Sequence, residues 1–234
     1  MNISEIGSHY LRAHTRIDEL VRHLSDEELA RSADACPGWS VADVVGHCTG
    51  IVEDALAGRL SGPPTDEQAA VQVARHRGRP IGDVLDLWAA GAAEFAELIA
   101  ALELAPGLID ILSHEQDIRT ALEKPGHRDD AGIVLVANYV IAGLDLRPEV
   151  IEVVFPDGSK VRSVSGAADG ETTAPGKGAE PAVIQLSATP FEVMRFRLGR
   201  RSPAEVAALD WSADPTPLLD RLFVFGSRDQ SLGE

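Results

Sequence analysis

Two histidines and an aspartate have the residue types and the spacing of a metal site. Asp110 and His114 lie four positions apart in a segment of helical periodicity, so their side chains share neighbouring turns and can bind one ion. His47 lies in another helical segment and, like His114, borders an apolar stripe. Two imidazoles and one carboxylate with a fourth position open are typical of catalytic zinc, although nickel, iron or manganese also fits. Spacing alone leaves an alternative, in which the histidines are interfacial polar residues and Asp110 is a first-turn anion.

Charged residues around His114 have two interpretations each. Asp117, three residues after His114, could orient that imidazole by accepting a hydrogen bond from it, or could pair with a surface arginine. Glu115 falls within the apolar arc of the same helix and needs a partner there. An ion pair with Arg119, four residues on, is favoured over a role as a second carboxylate of the site. Cys48 lies about 100° round the helix from His47 and is predicted to belong to the core.

Arginines that could bind a substrate carboxylate occur in two groups. Arg75, Arg77 and Arg79 lie in a polar connection between helices, and Arg200 and Arg201 are adjacent to each other further along the chain. We predict that Arg77, Arg79 and Arg201 contact the substrate. The alternatives are a solvated loop for the first group and, for the second, balancing of local acids or binding to the last carbonyls of a helix.

Helices up to about residue 147 must position these residues. Apolar residues recur at helical spacing, and Pro-Gly breaks and capping signals separate the segments. Ser25 with Glu28 forms a capping box for a short turn, and Ser40 with Asp43 caps the helix of His47. Residues 63–79 are predicted as a long polar connection. Five long helices are predicted. The first ends near residue 24, and the second begins after 40 and ends near 58. The other three span 80–102, 108–122 and about 131–146.

After residue 147 the apolar pattern changes to period two, which predicts strands. Residues 150–154 and 160–164 flank Pro156-Asp157-Gly158 and are predicted to form a β-hairpin. Residues 167–180 have too few apolar groups to pack and are predicted to be a mobile loop. A strand at 183–186 and short helices near 191–198, 204–209 and 217–223 complete a small α/β domain. The sequence therefore predicts two domains, 1–147 and 148–234.

Composition excludes some classes of partner. The chain has 234 residues, 44% of them hydrophobic, and a formal net charge of −16, which would repel phosphate backbones and anionic membrane surfaces. The N-terminal residues do not resemble a signal peptide, and no apolar segment is long enough to span a membrane. The two cysteines give no sign of a disulfide framework. We expect a cytoplasmic protein, monomeric or homodimeric, that binds neither nucleic acid nor membranes.

The motifs around the candidate ligands resemble those of a known family. Residues 36–47, CPGWSVADVVGH, are similar to a signature of the DinB-like, mycothiol-dependent maleylpyruvate isomerase family. Residues 114–122, HEQDIRTAL, are similar to its second signature, and 198–202, LGRRS, and 208–212, ALDWS, resemble its C-terminal segments. The resemblance covers nearly the whole chain. It implies a mainly α fold, with an antiparallel four-helix bundle followed by a small, sterol-carrier-like α/β domain.

The resemblance also implies site residues and chemistry. His47 and His114 would be ligands of a divalent metal, most plausibly zinc, and Asp110 stands where the family usually has glutamate. Arg200 matches the family's GR motif and is assigned as catalytic. The cosubstrate would be a low-molecular-weight thiol, mycothiol in actinobacteria, whose thiolate adds to an unsaturated or electrophilic small molecule, so that neither protein cysteine is needed as nucleophile. The alternatives are a mycothiol S-transferase and a non-catalytic binding protein with a degenerate metal site.

Overall fold

A computed structural model of the protein describes residues 3–164 and 183–234. The loop predicted over 167–180 lies outside the described residues. The chain folds into two compact units, Met1–Gly132 and Ile133–Glu234. This division differs from the predicted boundary at 147 because most of the last long helix groups with the second unit. The predicted fold class, mainly α with a small α/β region, is confirmed.

Four long helices form the core of the first unit. The helices of this unit are α1 (Ile3–Val21), α2 (Asp26–Leu29), α3 (Val41–Leu56), α4 (Asp66–His76), α5 (Ile81–Ala101) and α6 (Ala105–Ala121). Helix α1 packs against α5 and α6, and α3 packs against α5 and α6 as well as α4. Trp88 of α5 is fully buried, and its indole Nε1 donates a 2.8 Å hydrogen bond to the Tyr10 hydroxyl of α1.

Helix α4 corrects the prediction that residues 63–79 are only a polar connection. Thr65 caps this helix, which buries the polar side chains of Gln72 and His76 beside Val73. Gln72 donates a 2.8 Å hydrogen bond to Asp54 of α3. The two helices approach closely because α3 has Gly50 at the contact, where a Cβ atom would lie 2.5 Å from that of Gln72. An apolar-periodicity criterion misses a helix whose inner face is held by hydrogen bonds.

Local signals place the two helices that carry the candidate ligands. Ser40 and Asp43 form the predicted capping box at the start of α3. Helix α6 begins at Ala105, with Pro106 in its first turn, which is earlier than the predicted start at 108. Asp110 therefore lies beyond the first turn of α6, and its expected alternative role as a first-turn anion is wrong.

The second unit is a small α/β fold. Its elements are α7 (Ala131–Ala142), which begins at the end of the first unit, β1 (Val150–Val154), β2 (Lys160–Arg162), β3 (Val183–Ser187), α8 (Pro190–Arg197), α9 (Pro203–Ala207), β4 (Asp210–Trp211) and a 3₁₀ helix (Thr216–Arg221). The sheet has the order β2-β1-β3-β4, with β1 antiparallel to β2 and parallel to β3, and β3 antiparallel to β4. The predicted hairpin of β1 and β2 is confirmed, whereas β4 was not predicted.

None of the helices within 3–164 and 183–234 is long and apolar enough to cross a membrane.

Candidate metal centre

The first unit brings together the three predicted ligands. Helix α3 supplies His47, and α6 supplies Asp110 and His114. The Oδ1 atom of Asp110 lies 3.7 Å from His47 Nε2 and 3.5 Å from His114 Nε2. One ligand atom from each residue lies within 4.8 Å of the other two.

These distances can be compared with those of a tetrahedral ion. Zinc bonds of about 2.0–2.1 Å to nitrogen and oxygen place the ligand atoms about 3.3–3.4 Å apart. The observed separations are slightly longer than that and are too long for strong hydrogen bonds. A donor set of two imidazole nitrogens and one carboxylate oxygen therefore fits a divalent cation and leaves a position for another ligand. The shorter side chain of aspartate reaches the shared point.

Burial differs among the three side chains. Those of His47 and His114 are 4% and 9% exposed, whereas that of Asp110 is 26% exposed. The two imidazoles are thus held inside the bundle, and the carboxylate forms the side of the centre that faces solvent.

Electrostatics keep this carboxylate charged. Burial raises the pKa of Asp110, but His114 and His47 lower it by more, so the pKa lies below its ordinary value. Burial lowers the pKa of His114, but the carboxylates of Asp110 and Asp117 raise it by more, so the pKa lies well above its ordinary value. The centre in its metal-free form therefore favours a carboxylate beside an imidazolium. A divalent cation would take the place of that proton.

Asp117 contacts the other nitrogen of His114. Its Oδ2 atom lies 3.0 Å from His114 Nδ1, and its side chain is fully buried. A carboxylate can only accept, so Nδ1 carries the hydrogen of this bond. In the neutral ring, the lone pair then lies on Nε2, which faces Asp110 and His47. This geometry supports the orienting role predicted for Asp117.

Sequence reasoning missed Cys36 as a neighbour of the centre. Its Sγ atom lies 3.4 Å from Asp117 Oδ2 and 3.7 Å from His114 Nδ1. Trp39, from the same segment, has its ring centroid 4.9 Å from that of His47. The available signal was the position of both residues in the Cys-Pro-Gly-Trp segment. Their contacts with α6 span more than 70 residues of sequence, which no local pattern reports.

Three other predictions for the first unit concern Glu115, Cys48 and Arg77. Glu115 forms the predicted ion pair with Arg119 at 3.0 Å and also binds Arg16 at 2.6 Å. Cys48 is buried, as predicted, and burial raises the pKa of its thiol. Arg77 binds Asp43, one turn before His47 on α3, with two hydrogen bonds of 3.0 Å.

The remaining predicted arginines differ in their exposure and in their partners among the described residues. Arg79 is exposed after α4. In the second unit, Arg200 Nη1 donates a 2.6 Å hydrogen bond to the carbonyl of Leu198 at the end of α8. Arg201 is buried and pairs with Glu192 and Glu234. These contacts agree with the local alternatives of helix-end binding and balancing of acids. Substrate contact by Arg77, Arg79 and Arg201 and catalysis by Arg200 stay predictions.

The first unit is a helical bundle in which two imidazoles and a carboxylate converge, and this combination makes it a candidate metal-binding bundle. Residues 10–121 match the family model of the mycothiol maleylpyruvate isomerase N-terminal domain. This match supports the family that the motifs predict, and it contains all three candidate ligands. Residues 122–234 lie outside it. No curated protein and no solved structure gives a significant match to the chain.

Proposed function

We propose that the protein is a metal-dependent enzyme that uses mycothiol as thiol cosubstrate on an unsaturated small molecule, as a maleylpyruvate isomerase does. The observation that carries the proposal is the convergence of His47 Nε2, His114 Nε2 and Asp110 Oδ1 at separations that suit one divalent ion. The match of residues 10–121 to the mycothiol maleylpyruvate isomerase N-terminal domain favours mycothiol as the thiol.

A divalent metal held by these three residues would lower the pKa of a thiol that binds in the open position, so that the sulfur is thiolate at neutral pH. The chain's residues have separate tasks around it. Asp110 contributes negative charge and faces solvent, where a cosubstrate can enter. His114 keeps its Nε2 lone pair on the centre because Asp117 holds the hydrogen on Nδ1.

The proposed reaction is a reversible addition. The thiolate sulfur forms a bond to one carbon of a conjugated double bond, and the π electrons move to the carbonyl oxygen as an enolate. Rotation about the new single bond changes the geometry, and the enolate then expels the thiolate and restores the double bond. The same first step with a proton added to the enolate, and no elimination, would make the protein an S-transferase.

Metal content is the first test of the proposal. We expect one equivalent of zinc or cobalt in the wild type. His47→Ala and His114→Ala should bind at least about 100-fold more weakly, since replacing even the neighbours of metal ligands costs 10- to 100-fold. His76→Gln is the matched control, because His76 is a buried histidine of the same unit that pairs with Glu53 instead. Well under one equivalent in the wild type, with no gain on adding zinc, would contradict the proposal.

Thiol binding is the second test. Adding mycothiol to the cobalt-loaded protein should produce a thiolate-to-cobalt charge-transfer band that the His114→Ala variant lacks. Turnover of maleylpyruvate then separates the two reactions, because an isomerase regenerates free thiol and an S-transferase consumes it. A protein that binds metal but shows neither the band nor thiol-dependent turnover would be a binding protein rather than the proposed enzyme.

A further inference from the structure

The two candidate histidine ligands are held by different means. His114 Nδ1 has a hydrogen-bond partner in Asp117. The Nδ1 atom of His47 is buried and has no hydrogen-bond partner among the residues that the structure describes. Ligating histidines usually have their second nitrogen hydrogen-bonded, which fixes the orientation of the ring. His47 therefore needs a different constraint to keep its Nε2 atom on Asp110.

A tight turn lies beside both rings. The backbone N–H of Trp39 donates a 3.0 Å hydrogen bond to the carbonyl of Cys36, with Pro37 and Gly38 between them. Gly38 has a φ of +82°, and proline followed by such a glycine is the pattern of a type II turn. Ala33 closes the loop, since its N–H donates to the Trp39 carbonyl at 2.9 Å. The backbone of the turn is therefore fixed, and its first and last side chains have fixed starting points.

Cys36 acts on the His114 side of the centre. Its Sγ atom lies 3.4 Å from Asp117 Oδ2, the same oxygen that lies 3.0 Å from His114 Nδ1. Because a carboxylate only accepts, both the thiol and the imidazole donate to this oxygen, and the 3.7 Å between Sγ and Nδ1 is a contact between two donors. Cys36 thereby holds the carboxylate that orients His114.

Trp39 acts on the His47 side. Its ring centroid lies 4.9 Å from that of His47, with the planes tilted by 50°, and 6.3 Å from that of His114. Rotation of the His47 ring would bring it against the indole. The packing of Trp39 supplies the constraint that the unpartnered Nδ1 atom does not.

We propose that the turn Cys36–Trp39 is the positioning element of the metal centre, with Cys36 acting on His114 through Asp117 and Trp39 acting on His47 by packing. This inference rests on the proposed metal site. Cys36 is a positioning residue in it and not a ligand, and the protein's thiol takes no part in the reaction.

The test compares cobalt affinity and dissociation rate among variants, without added thiol. Cys36→Ala should bind cobalt about 10- to 100-fold more weakly, and Cys36→Ser should recover part of the loss because its hydroxyl also donates. Trp39→Ala should speed dissociation, and Trp39→Phe, which keeps a ring, should do so less. Cys48→Ala is the matched control, because Cys48 is a buried thiol that makes no hydrogen bond to Asp117 or His114 in the described part of the chain, and it should keep the wild-type cobalt affinity.

Two results would overturn the inference. One is a Cys36→Ala protein with wild-type affinity and dissociation rate. The other is a thiolate-to-cobalt charge-transfer band in the thiol-free wild type that Cys36→Ser lacks, because Cys36 would then be a ligand.

Proton NMR of the metal-free protein separates this inference from the proposed function. The hydrogen on His114 Nδ1 should give a slowly exchanging downfield resonance that persists in Cys36→Ser and shifts or broadens in Cys36→Ala. Failure of the wild type to bind cobalt would contradict the proposed function, while a changed resonance in Cys36→Ala would still show that Cys36 acts on His114 through Asp117. An unchanged resonance in Cys36→Ala would contradict the role of Cys36 whether or not metal binds.

Discussion

Both units of the protein place a carboxylate between basic side chains, but the kind of basic side chain differs. In the bundle, Asp110 faces two imidazoles. In the second unit, the buried side chain of Glu234 binds both Arg195 and Arg201. Arginine has no lone pair to offer and keeps its proton at any ordinary pH, so the second cluster is a closed set of ion pairs. Histidine can release its proton and bind a cation instead, which makes the first cluster a candidate site.

The largest expected loss of stability comes from removing one arginine of the second cluster. Replacing Arg195, which is fully buried, by methionine removes one of the arginines that bind Glu234 and should lower the free energy of unfolding by about 3 kcal/mol. Urea denaturation measures this loss. The double variant Arg195→Met, Glu234→Leu should recover most of it, because apolar residues then replace both charges of the broken pair.

Zinc affinity of the same variant tests whether the two clusters are independent. Zinc affinity of the Arg195→Met protein should equal that of the wild type under conditions where both are folded. A variant that loses zinc affinity while its bundle stays folded would show that the two clusters are not independent.

A smaller effect concerns the stability of the fold at acid pH, to which a carboxylate surrounded by cationic side chains contributes. Glu152 of β1 binds Lys160 at 2.9 Å, Arg162 at 2.6 Å and Gln185 at 2.8 Å. Hydrogen bonds from Lys160 and Arg162 are the main causes that lower its pKa to about 2. A lowered pKa stabilises the fold above the unfolded value of about 4.5, and this stabilisation is lost as pH falls towards 2.

The check is the stability of wild type and Glu152→Gln as a function of pH. The difference between the two proteins should be constant above about pH 5 and should shrink between pH 4.5 and 2. Equal acid profiles for the two proteins would mean that the Glu152 ion pairs do not contribute to stability.

The smallest effect concerns an arginine pair in the same unit as the metal centre. Arg77 binds Asp43 with good geometry, but the Arg77 side chain is 60% exposed. Exposed ion pairs contribute little, so Arg77→Gln should lower the free energy of unfolding only slightly, and by less than Glu152→Gln does. Thermal denaturation measures it, with cobalt affinity as a second readout. A lowered cobalt affinity would connect Arg77 to the centre, and a raised KM with unchanged cobalt affinity would support the predicted substrate contact.

Local physics explains what could be predicted from the sequence. The Ser40 capping box, the spacing of Asp110 and His114, and the Glu115–Arg119 pair all depend on residues within four positions of one another. Such signals survive in a single sequence because helix geometry alone determines which side chains meet.

The rest depended on contacts that a single sequence does not report. Helix α4 was missed because its buried face carries Gln72 and His76, whose hydrogen-bond partners lie on α3. Cys36 was missed because it meets His114 and Asp117 only after the turn folds against α6. Both errors concern buried polar groups, whose placement is decided by distant partners rather than by hydrophobic periodicity.

The uneven exposure of the three candidate ligands has a kinetic consequence. Since Asp110 is the most exposed of them, a hydrated cation arriving from solvent meets its carboxylate first and the imidazoles afterwards. Loss of the ion follows the same path in reverse. We therefore expect residue 110 to set how fast the centre loads and empties, and the two histidines to set how long the ion stays.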